Sequence, residues 1–366
     1  MKTIGYKFGD IASFKYGKLP KKGEITDIGK YPIYTGYRFS GNYPSKNLEK
    51  GQLIIVARGV GGIGDVKLAE RDCFLTNLSI SVKVDSQIAS PRYLYYYFKQ
   101  NHLKYLDSGS AQSQITISDL ERLEIQIPTL SDQGKIVNVL QSLDEKIKLN
   151  YQINKNLMEL VNVIFEQKIL KNPSITAWKQ ESLLDIADFQ NGLPMQKFRP
   201  DENEEQPLKV IKIKELSNQR FSETSELCSA TIDKKKIVDD GDLLFSWSGT
   251  LLVDFWTGGR GGLNQHLYKV TPKNYPIWLV YCWVKYHLRE FQNIAKAKAT
   301  TMGHIKRSDL ENAAVYLPPT EELESLDKLL SPILRNLIVN RIASRTLSKI
   351  RDELLPKLLS SEIKIQ

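Results

Sequence analysis

The residues Ser131-Asp132-Gln133-Gly134-Lys135-Ile136-Val137-Asn138-Val139-Leu140 begin a stretch that continues to about residue 170. Its apolar residues recur every three or four positions, which is the period of one face of a long α-helix. The pattern returns 190 residues later, so that Leu140 and Leu157 correspond to Leu330 and Leu347. A long helix that occurs twice, each time behind a larger segment, indicates an internal duplication.

The segments before the two helices also match in outline. Residues 10–12 and Gly17 recur 175 positions on as residues 185–187 and Gly192, whereas residues 51–55 recur 190 positions on as residues 241–245. The offset therefore drifts within these segments and is constant in the helices. Loops have changed in length while the helices have not, which is the behaviour expected of a spacer.

This pattern predicts an α+β protein with two pseudo-twofold-related α/β domains, each followed by a long helix, with the two helices packing as an antiparallel coiled coil. The domains would comprise residues 1–130 and 173–318, and the helical segments residues 131–172 and 319–366. A helix of about 40 residues would extend roughly 60 Å. Pro332 is expected to kink the second helix or to mark its true start.

The residues in the contact between the two helix copies can be assigned from the apolar face that the sequence pattern predicts. Polar residues interrupt it at Asn150 and Asn154 in the first copy, and at Asn340 and Ser344 in the second. Buried polar residues of this kind fix the register of a coiled coil at some cost in stability. The residues predicted to line the contact are Leu140, Leu143, Ile147, Asn150, Leu157, Leu330, Ile333, Leu337, Asn340 and Leu347.

The composition indicates a soluble, folded, basic chain. Its 366 residues are 41% hydrophobic, and the net charge of +9 with a pI near 9.1 suggests a polyanionic partner such as nucleic acid, or merely a soluble basic protein. Residues 1–7 lack the apolar core of a signal peptide, and the longest apolar run is far shorter than the roughly 20 residues that cross a bilayer. A cytoplasmic location is therefore expected.

The cysteines argue against both a disulfide framework and a zinc site. Cys73, Cys228 and Cys282 are odd in number, far apart and without a CxxC pair. Buried, reduced thiols are the preferred interpretation.

Two motifs carry a resemblance to a known family. Residues 350–363, Ile-Arg-Asp-Glu-Leu-Leu-Pro-Lys-Leu-Leu-Ser-Ser-Glu-Ile, resemble the carboxy-terminal signature of the specificity (S) subunits of type I restriction–modification enzymes. The family usually has Gly where this chain has Ser361. Residues 143–150, Leu-Asp-Glu-Lys-Ile-Lys-Leu-Asn, are similar to that family's first central helix motif, and Ile127-Pro128 and Leu317-Pro318 also fit. The resemblance covers the full length of the chain.

The resemblance implies a non-catalytic protein in which each domain is a target recognition domain that reads one half of a split, asymmetric DNA sequence. It further implies that the helices set the unread gap and dock two methyltransferase (M) subunits, which methylate adenine, and that restriction (R) subunits can join for cleavage. No cofactor is expected on this chain, and S-adenosylmethionine and Mg²⁺ are expected on the partner subunits only.

Two alternative functions stay open: an autonomous DNA methyltransferase or nuclease, and a DNA-free coiled-coil scaffold. No Asn-Pro-Pro-Tyr-like methyltransferase motif is present, and the glycine cluster at residues 59–64 lacks the Lys-Ser/Thr of a phosphate-binding loop, which favours a hairpin turn. Asp201 and Asp233 loosely match a nuclease pattern of Mg²⁺-binding carboxylates, but both lie in charged runs that are typical of solvated loops. The equivalent His102 and His287 are predicted to be structural, and the aromatic residues 93–97 and Trp247 to belong to the core.

DNA contacts are expected from polar residues in loops. Arginine can bridge guanine O6 and N7, and glutamine can pair with adenine N6 and N7, in the major groove. The candidates in the first domain are Arg38, Arg58, Gln112 and Gln114. The candidates in the second domain are Lys197, Arg220, Arg260, Asn264, His266, Lys298 and His304.

Overall fold

The computed structural model describes residues 2–59, 62–107, 113–297, 303–363 and 365. The chain divides into two compact units. Unit 1 comprises Met1–Glu145 together with Ser348–Gln366, and unit 2 comprises Lys146–Leu347. Each long helix therefore begins in one unit and ends in the other.

The strands of unit 1 are β1 (Thr3–Lys7), β2 (Ala12–Tyr16), β3 (Tyr31–Tyr34), β4 (Phe39–Tyr43), β5 (Leu53–Val56), β6 (Val66–Leu68), β7 (Phe74–Leu75), β8 (Ser79–Val84) and β9 (Glu124–Pro128). Strand β1 pairs with β9, a second sheet has the order β2-β8-β5-β6, and a third has the order β4-β3-β7. The paired strands are antiparallel, apart from the parallel pair β3–β7. Two 3-10 helices occupy Lys22–Glu24 and Leu103–Leu106. The helices are α1 (Phe8–Ile11), α2 (Pro91–Gln100), α3 (Ile117–Glu121) and the start of α4 (Leu130–Phe165).

Unit 2 repeats most of these elements in the same chain order, and it also contains a helix at Ile213–Asn218 and a short strand at Ile237–Val238 that the described part of unit 1 lacks. A π-helix (Glu166–Leu170) continues α4, and 3-10 helices occupy Ile175–Ala177, Met195–Lys197 and Lys234–Lys236. The strands are β10 (Lys179–Ser182), β11 (Ala187–Asn191), β12 (Leu208–Ile211), β13 (Leu227–Cys228), β14 (Ile237–Val238), β15 (Leu243–Ser246), β16 (Val253–Phe255), β17 (Gly261–Leu263), β18 (Leu267–Pro272) and β19 (Ala314–Leu317). The helices are α5 (Leu183–Ile186), α6 (Ile213–Asn218), α7 (Ile277–Ala297), α8 (Arg307–Glu311) and α9 (Thr320–Leu359).

The sheets of the two units correspond in most of their strands, and β14 is an additional strand beside β17 in unit 2. The order β2-β8-β5-β6 in unit 1 is repeated as β11-β18-β15-β16 in unit 2, β1-β9 as β10-β19, and the parallel pair β3–β7 as β12–β17. The predicted fold class, two α/β units each followed by a long helix, is confirmed. Gly59, Gly62 and Gly64 of the glycine cluster lie between β5 and β6, and Gly64 N–H donates to the Val56 carbonyl.

A matched pair of glycines shows why both copies keep the same backbone at one point. A Cβ on Gly17 would collide with the carbonyl oxygens of Leu75 and Thr76, and a Cβ on Gly192 would collide with those of Leu263 and Asn264. In each unit the chain leaving β2 or β11 passes directly against the loop before β8 or β18. Only glycine permits that approach.

Each unit has its own hydrophobic core, and both long helices contribute residues to each core. In unit 1, Leu140 of α4 and Leu355 and Leu358 of α9 belong to the core that includes the fully buried strand β5. In unit 2, Val161 of α4 and Leu330 and Leu334 of α9 belong to the core around α7. The aromatic residues 93–97 serve the core as predicted: Tyr93 and Tyr96 are buried.

Helix α9 is continuous through Pro332, so this proline does not mark the start of the helix, which begins at Thr320. A proline within a helix removes one backbone hydrogen bond. Burial of Leu330 and Leu334 on either side offers the packing that offsets this loss. None of the helices in the described part of the chain is long and apolar enough to cross a membrane.

The end of α9 explains the glycine of the family signature. Ser361 has a φ of 63°, which is the left-handed conformation that commonly terminates a helix. Ile363 N–H closes this turn on the Lys357 carbonyl at 3.2 Å. A serine in this conformation is strained, because its Cβ approaches backbone oxygen.

Ser361→Gly is therefore expected to stabilise unit 1 by about 1 kcal/mol, since glycine adopts the left-handed conformation without a Cβ clash. The neighbouring Ser360→Gly should not stabilise, because Ser360 does not have a positive φ. Calorimetric unfolding of the two variants checks this. Equal shifts in both variants would contradict the assignment of strain to Ser361.

Candidate nucleic-acid interface

Two predicted DNA-binding residues of unit 1 meet at the end of β5. Arg58 forms an isolated antiparallel bridge with Gln114, and its Nε donates to Gln114 Oε1 at 3.1 Å. The Arg58 guanidinium also lies 5.4 Å from the ring centroid of Tyr16 on β2. Both contacts hold an exposed arginine in one orientation, although the two bridge partners lie 56 residues apart in the chain.

Arg58 and Gln114 line an open cleft of about 920 Å³. Its walls also carry the basic residues His102 and Lys104, and the carboxylates of Asp65 and Asp107. Ser113 Oγ donates to Asp107, which occupies one carboxylate oxygen. His102 is exposed in this cleft and lies beyond the end of α2, so the prediction that it is a structural helix residue is not met.

Three predicted residues of unit 2 meet around Ser248. Ser248 forms the bridge with His304, and its Oγ lies 2.8 Å from His266 Nδ1. Asn264 is buried and its Oδ1 accepts from the His266 backbone N–H, which holds the loop between β17 and β18. The Trp247 ring lies 6.0 Å from the His266 ring and 6.3 Å, edge to face, from the His304 ring.

The other predicted DNA-binding residues lie elsewhere. Arg38 is exposed in the turn between β3 and β4, and Lys197 ends the 3-10 helix Met195–Lys197. Arg220 is exposed after α6, and Arg260 forms a 3.5 Å ion pair with Asp239. Gln112 and Lys298 lie outside the described residues. The DNA-binding role of every member of this set stays a prediction.

The sequence reasoning missed Tyr16, Lys104, Trp247 and Ser248 as neighbours of these sites. A signal for Ser248 was present, because Arg58 and Gln114 correspond to Ser248 and His304 at the same offset of 190 that relates the helices. Trp247 is half-buried and packs against the unit 2 core, as predicted, yet its ring also contacts the rings of the two histidines.

The predicted polar residues of the two long helices contact one another within unit 2. Asn150 Nδ2 donates to Ser344 Oγ at 3.1 Å, and Asn340 Nδ2 donates to Asn154 Oδ1 at 3.3 Å. The partner number falls along α9 as the residue number rises along α4, so the helices are antiparallel. Among the other predicted packing residues, Leu140, Leu330 and Leu337 are buried. Those that are half-buried are Leu143, Ile147, Leu157, Ile333 and Leu347.

An ion pair joins the two motifs that carry the family resemblance. In unit 1, Arg351 of the terminal signature donates to Asp144 of the helix motif at 2.7 Å, and Tyr96 Oη donates to the same carboxylate at 2.6 Å. The repeat equivalents of this pair, Val161 and Leu334, are both buried in the unit 2 core. The same helix contact is therefore ionic in one unit and apolar in the other.

The long helices also carry exposed apolar residues at repeat-equivalent positions. Leu149 and Leu160 on α4 are 48% and 45% exposed, and their equivalents on α9, Val339 and Ile350, are 55% and 40% exposed. Leu149 and Leu160 both lie in unit 2 and are eleven residues apart, which is close to three helical turns, so these two residues share one face of α4. We call these four residues the exposed apolar stripe.

Arginines on α9 pair with carboxylates of unit 2. Arg345 donates to both carboxylate oxygens of Asp240 at 2.7 Å, and Arg341 donates to Asp254 at 2.8 Å. The hydrogen bond from Arg345 lowers the pKa of Asp240 below its usual range. A bidentate pair of this kind fixes orientation as well as distance.

The structure offers no support for a metal-dependent nuclease. Asp233 Oδ1 caps the 3-10 helix Lys234–Lys236 by accepting from Lys235 N–H, and Asp201 is exposed in a turn. The described residues contain no group of three or more His, Cys, Asp or Glu side chains that could hold a metal ion. Burial raises the pKa of the Cys73 and Cys228 thiols to about 11, as expected of structural rather than reactive cysteines.

His287 has the structural role that the sequence predicted. It is buried on α7, and its Nε2 lies 2.8 Å from the Ala314 carbonyl oxygen. Its sequence equivalent His102 has a different environment because α2 ends at Gln100, whereas α7 continues to Ala297.

Comparisons with known proteins agree with this architecture. The MjaIX type I restriction enzyme specificity subunit of Methanocaldococcus jannaschii is 25% identical over 351 residues, which cover 87% of this chain and 78% of that protein. The putative type I specificity subunit S.MgeORF438P of Mycoplasma genitalium is 28% identical over 183 residues, which cover 47% of this chain and 46% of that protein.

A crystal structure of a type I restriction–modification system S subunit from M. genitalium has the same fold. The TM-score is 0.70 at 18% sequence identity, and the match covers 100% of this chain and 97% of that chain. The family model described as Type I restriction modification DNA specificity domain matches this chain twice, at residues 5–159 and 176–352. The two matches reproduce the duplication found in the sequence and in the sheets, and the chain belongs to the type I restriction–modification DNA specificity family, as a specificity subunit.

Proposed function

We propose that this chain reads a bipartite, asymmetric DNA target and directs adenine methylation by partner subunits. The observation that carries the proposal is the repeated bridge at Arg58–Gln114 and Ser248–His304. It occupies the same place in two copies of one fold, but the side chains differ in charge and shape. Two readers of the same architecture and different chemistry suit a target with two different halves.

The long helices set the number of unread base pairs between the two half-sites in this proposal. Helix α4 has 36 residues and α9 has 40, and both continue from one unit into the other. The contacts of Asn150 with Ser344 and of Asn154 with Asn340 favour a single register, because a shift would leave buried amides without partners.

The exposed apolar stripe is the docking surface for two methyltransferase subunits in this proposal. Leu149 and Leu160 would serve one subunit, and the equivalent Val339 and Ile350 would serve the other. Exposed apolar residues that recur at matched positions of a duplicated chain suit two copies of one partner. Restriction subunits would join this assembly in the cytoplasm, and S-adenosylmethionine and Mg²⁺ would be bound by the partners.

The experiment that tests the proposal is a map of N6-methyladenine in DNA from cells that express the chain with its methyltransferase subunit. One bipartite motif, with two defined half-sites and a fixed gap, is the expected result. A complex that forms but adds no methylation motif would overturn the proposal. The purified chain alone should neither methylate nor cleave DNA.

A further inference from the structure

The backbone of the repeated bridge is the same in both units. Ile115 N–H donates to the Ala57 carbonyl at 3.0 Å, and Ile305 N–H donates to the Trp247 carbonyl at 3.0 Å. The residues that follow these two acceptors are Arg58 and Ser248, and each is bridged to the residue before the donor. A position with a fixed backbone and different side chains suits a role in specificity, because the fold does not depend on the side chain.

The chemistry of Arg58 suits the edge of a guanine. Its Nε is bound to Gln114, and among the described residues no group accepts a hydrogen bond from Nη1 or Nη2. The planar guanidinium presents its donors as a fork that matches guanine O6 and N7. Because Gln114 and Tyr16 already orient the guanidinium, less side-chain entropy is lost when it binds.

The surroundings of Arg58 are open enough for a DNA groove edge. The cleft beside it is lined in part by Gly59, Gly62 and Gly64, which carry no side chains. Lys104 lies on the same cleft and can meet a backbone phosphate. Asp65 and Asp107 also line the cleft, and their negative charge would oppose non-specific binding of phosphates.

The same place in unit 2 is occupied by Ser248 together with the rings of Trp247, His266 and His304. Ser248 Oγ lies 2.8 Å from His266 Nδ1, and the His304 and Trp247 rings are nearly perpendicular with their centroids 6.3 Å apart. No arginine occupies the bridge in this unit. A base pair read here would therefore differ from one read by Arg58.

We infer that Arg58, braced by Gln114, reads a guanine in the half-site bound by unit 1, and that the Ser248–His304 bridge occupies the reading position of the other half-site. This inference rests on the proposed function, since it presupposes that each unit binds one half-site. It adds the residue and the base that determine one position of the target.

The test compares methylation motifs directed by the wild-type chain, Arg58→Gln, Arg58→Lys and the control Arg122→Gln. Arg122 is exposed at the end of α3 in the same unit, so its replacement removes an equal charge. Arg58→Gln is expected to lower discrimination for guanine at one position by roughly 10- to 100-fold. The other half-site and the gap should not change, and Arg122→Gln should leave the whole motif unchanged.

Salt dependence of DNA binding separates a base contact from a phosphate contact. Arg58→Lys keeps the charge, so the slope of log K against log salt should stay at the wild-type value while guanine discrimination falls. In the other half-site, His304→Ala should relax one position and leave the guanine read by Arg58 unchanged.

The outcomes distinguish this inference from the proposed function. A wild-type complex that directs no motif would overturn both. A wild-type bipartite motif in which no position depends on Arg58, or an Arg58→Gln variant that binds all sequences more weakly to the same extent, would overturn the inference alone.

Discussion

Replacing Leu337 with Asp is expected to unfold unit 2. Leu337 is 0% exposed on α9, one turn beyond Leu334, which belongs to the unit 2 core. The substitution removes a buried side chain, which costs about 2–5 kcal/mol, and leaves an unpaired carboxylate in an apolar environment, which costs several more. This loss is comparable with the whole stability of a typical domain, about 5–15 kcal/mol.

Tryptophan fluorescence during chemical denaturation measures this effect in unit 2 alone. All five tryptophans of the chain lie in unit 2, and Trp256, Trp278 and Trp283 are buried there. The matched control is Val339→Asp, two residues further on the same helix at a position 55% exposed. The control should change the unfolding free energy by no more than about 0.5 kcal/mol. Equal losses in both variants would contradict the assignment of α9 to the core of unit 2.

The second large effect is expected on assembly. Leu149→Asp should reduce the number of bound methyltransferase subunits from two to one per chain, because a charge replaces an apolar residue at one docking surface. Val339→Asp should do the same at the equivalent surface, and the double variant should bind none. Burial of an aspartate in such an interface is expected to weaken the affinity by at least about 100-fold.

Analytical ultracentrifugation with a methyltransferase subunit in excess gives the stoichiometry directly. Tyr151→Asp is the control, since Tyr151 is 73% exposed on α4 but lies about 200° around the helix from Leu149. It should still bind two subunits. A Leu149→Asp chain that retains both subunits would show that the exposed apolar stripe is not the docking surface.

The long helices were the part of the fold that the sequence predicted best. Their period and constant offset are local properties of the chain, and the polar interruptions at Asn150 and Asn340 pointed to the contacts that α4 and α9 make. The ion pair of Asp144 with Arg351 could not be predicted in the same way. It breaks the repeat, because its equivalents Val161 and Leu334 are apolar, and only the antiparallel pairing brings the two charges together.

The candidate interface was harder to predict, since it depends on contacts between distant segments. Arg58 was one of several exposed arginines in the sequence, and only the bridge to Gln114 and the ring of Tyr16 distinguish it from Arg38 or Arg220. A constant offset also proved an incomplete guide. The offset of 190 related Arg58 to Ser248 correctly, but His102 and His287, which correspond at an offset of 185, differ in environment because α2 and α7 differ in length.

The proposal that the helices set the number of unread base pairs can be tested by lengthening both helices at the point where the chain passes from one unit to the other. A second copy of residues 139–145 would be inserted after Glu145, and a second copy of residues 348–354 after Leu347. The added copy of Asp144 can then pair with the added copy of Arg351. Seven residues add about 10 Å and fall only about 20° short of two full turns. The apolar faces of both helices therefore keep their orientation.

The central claim is tested most directly by the methylation map of this lengthened chain beside that of the wild-type chain. At about 3.4 Å per base pair, the account predicts the same two half-sites with a gap that is longer by about three base pairs. A lengthened chain that assembles and methylates the original motif with the original gap would contradict the account.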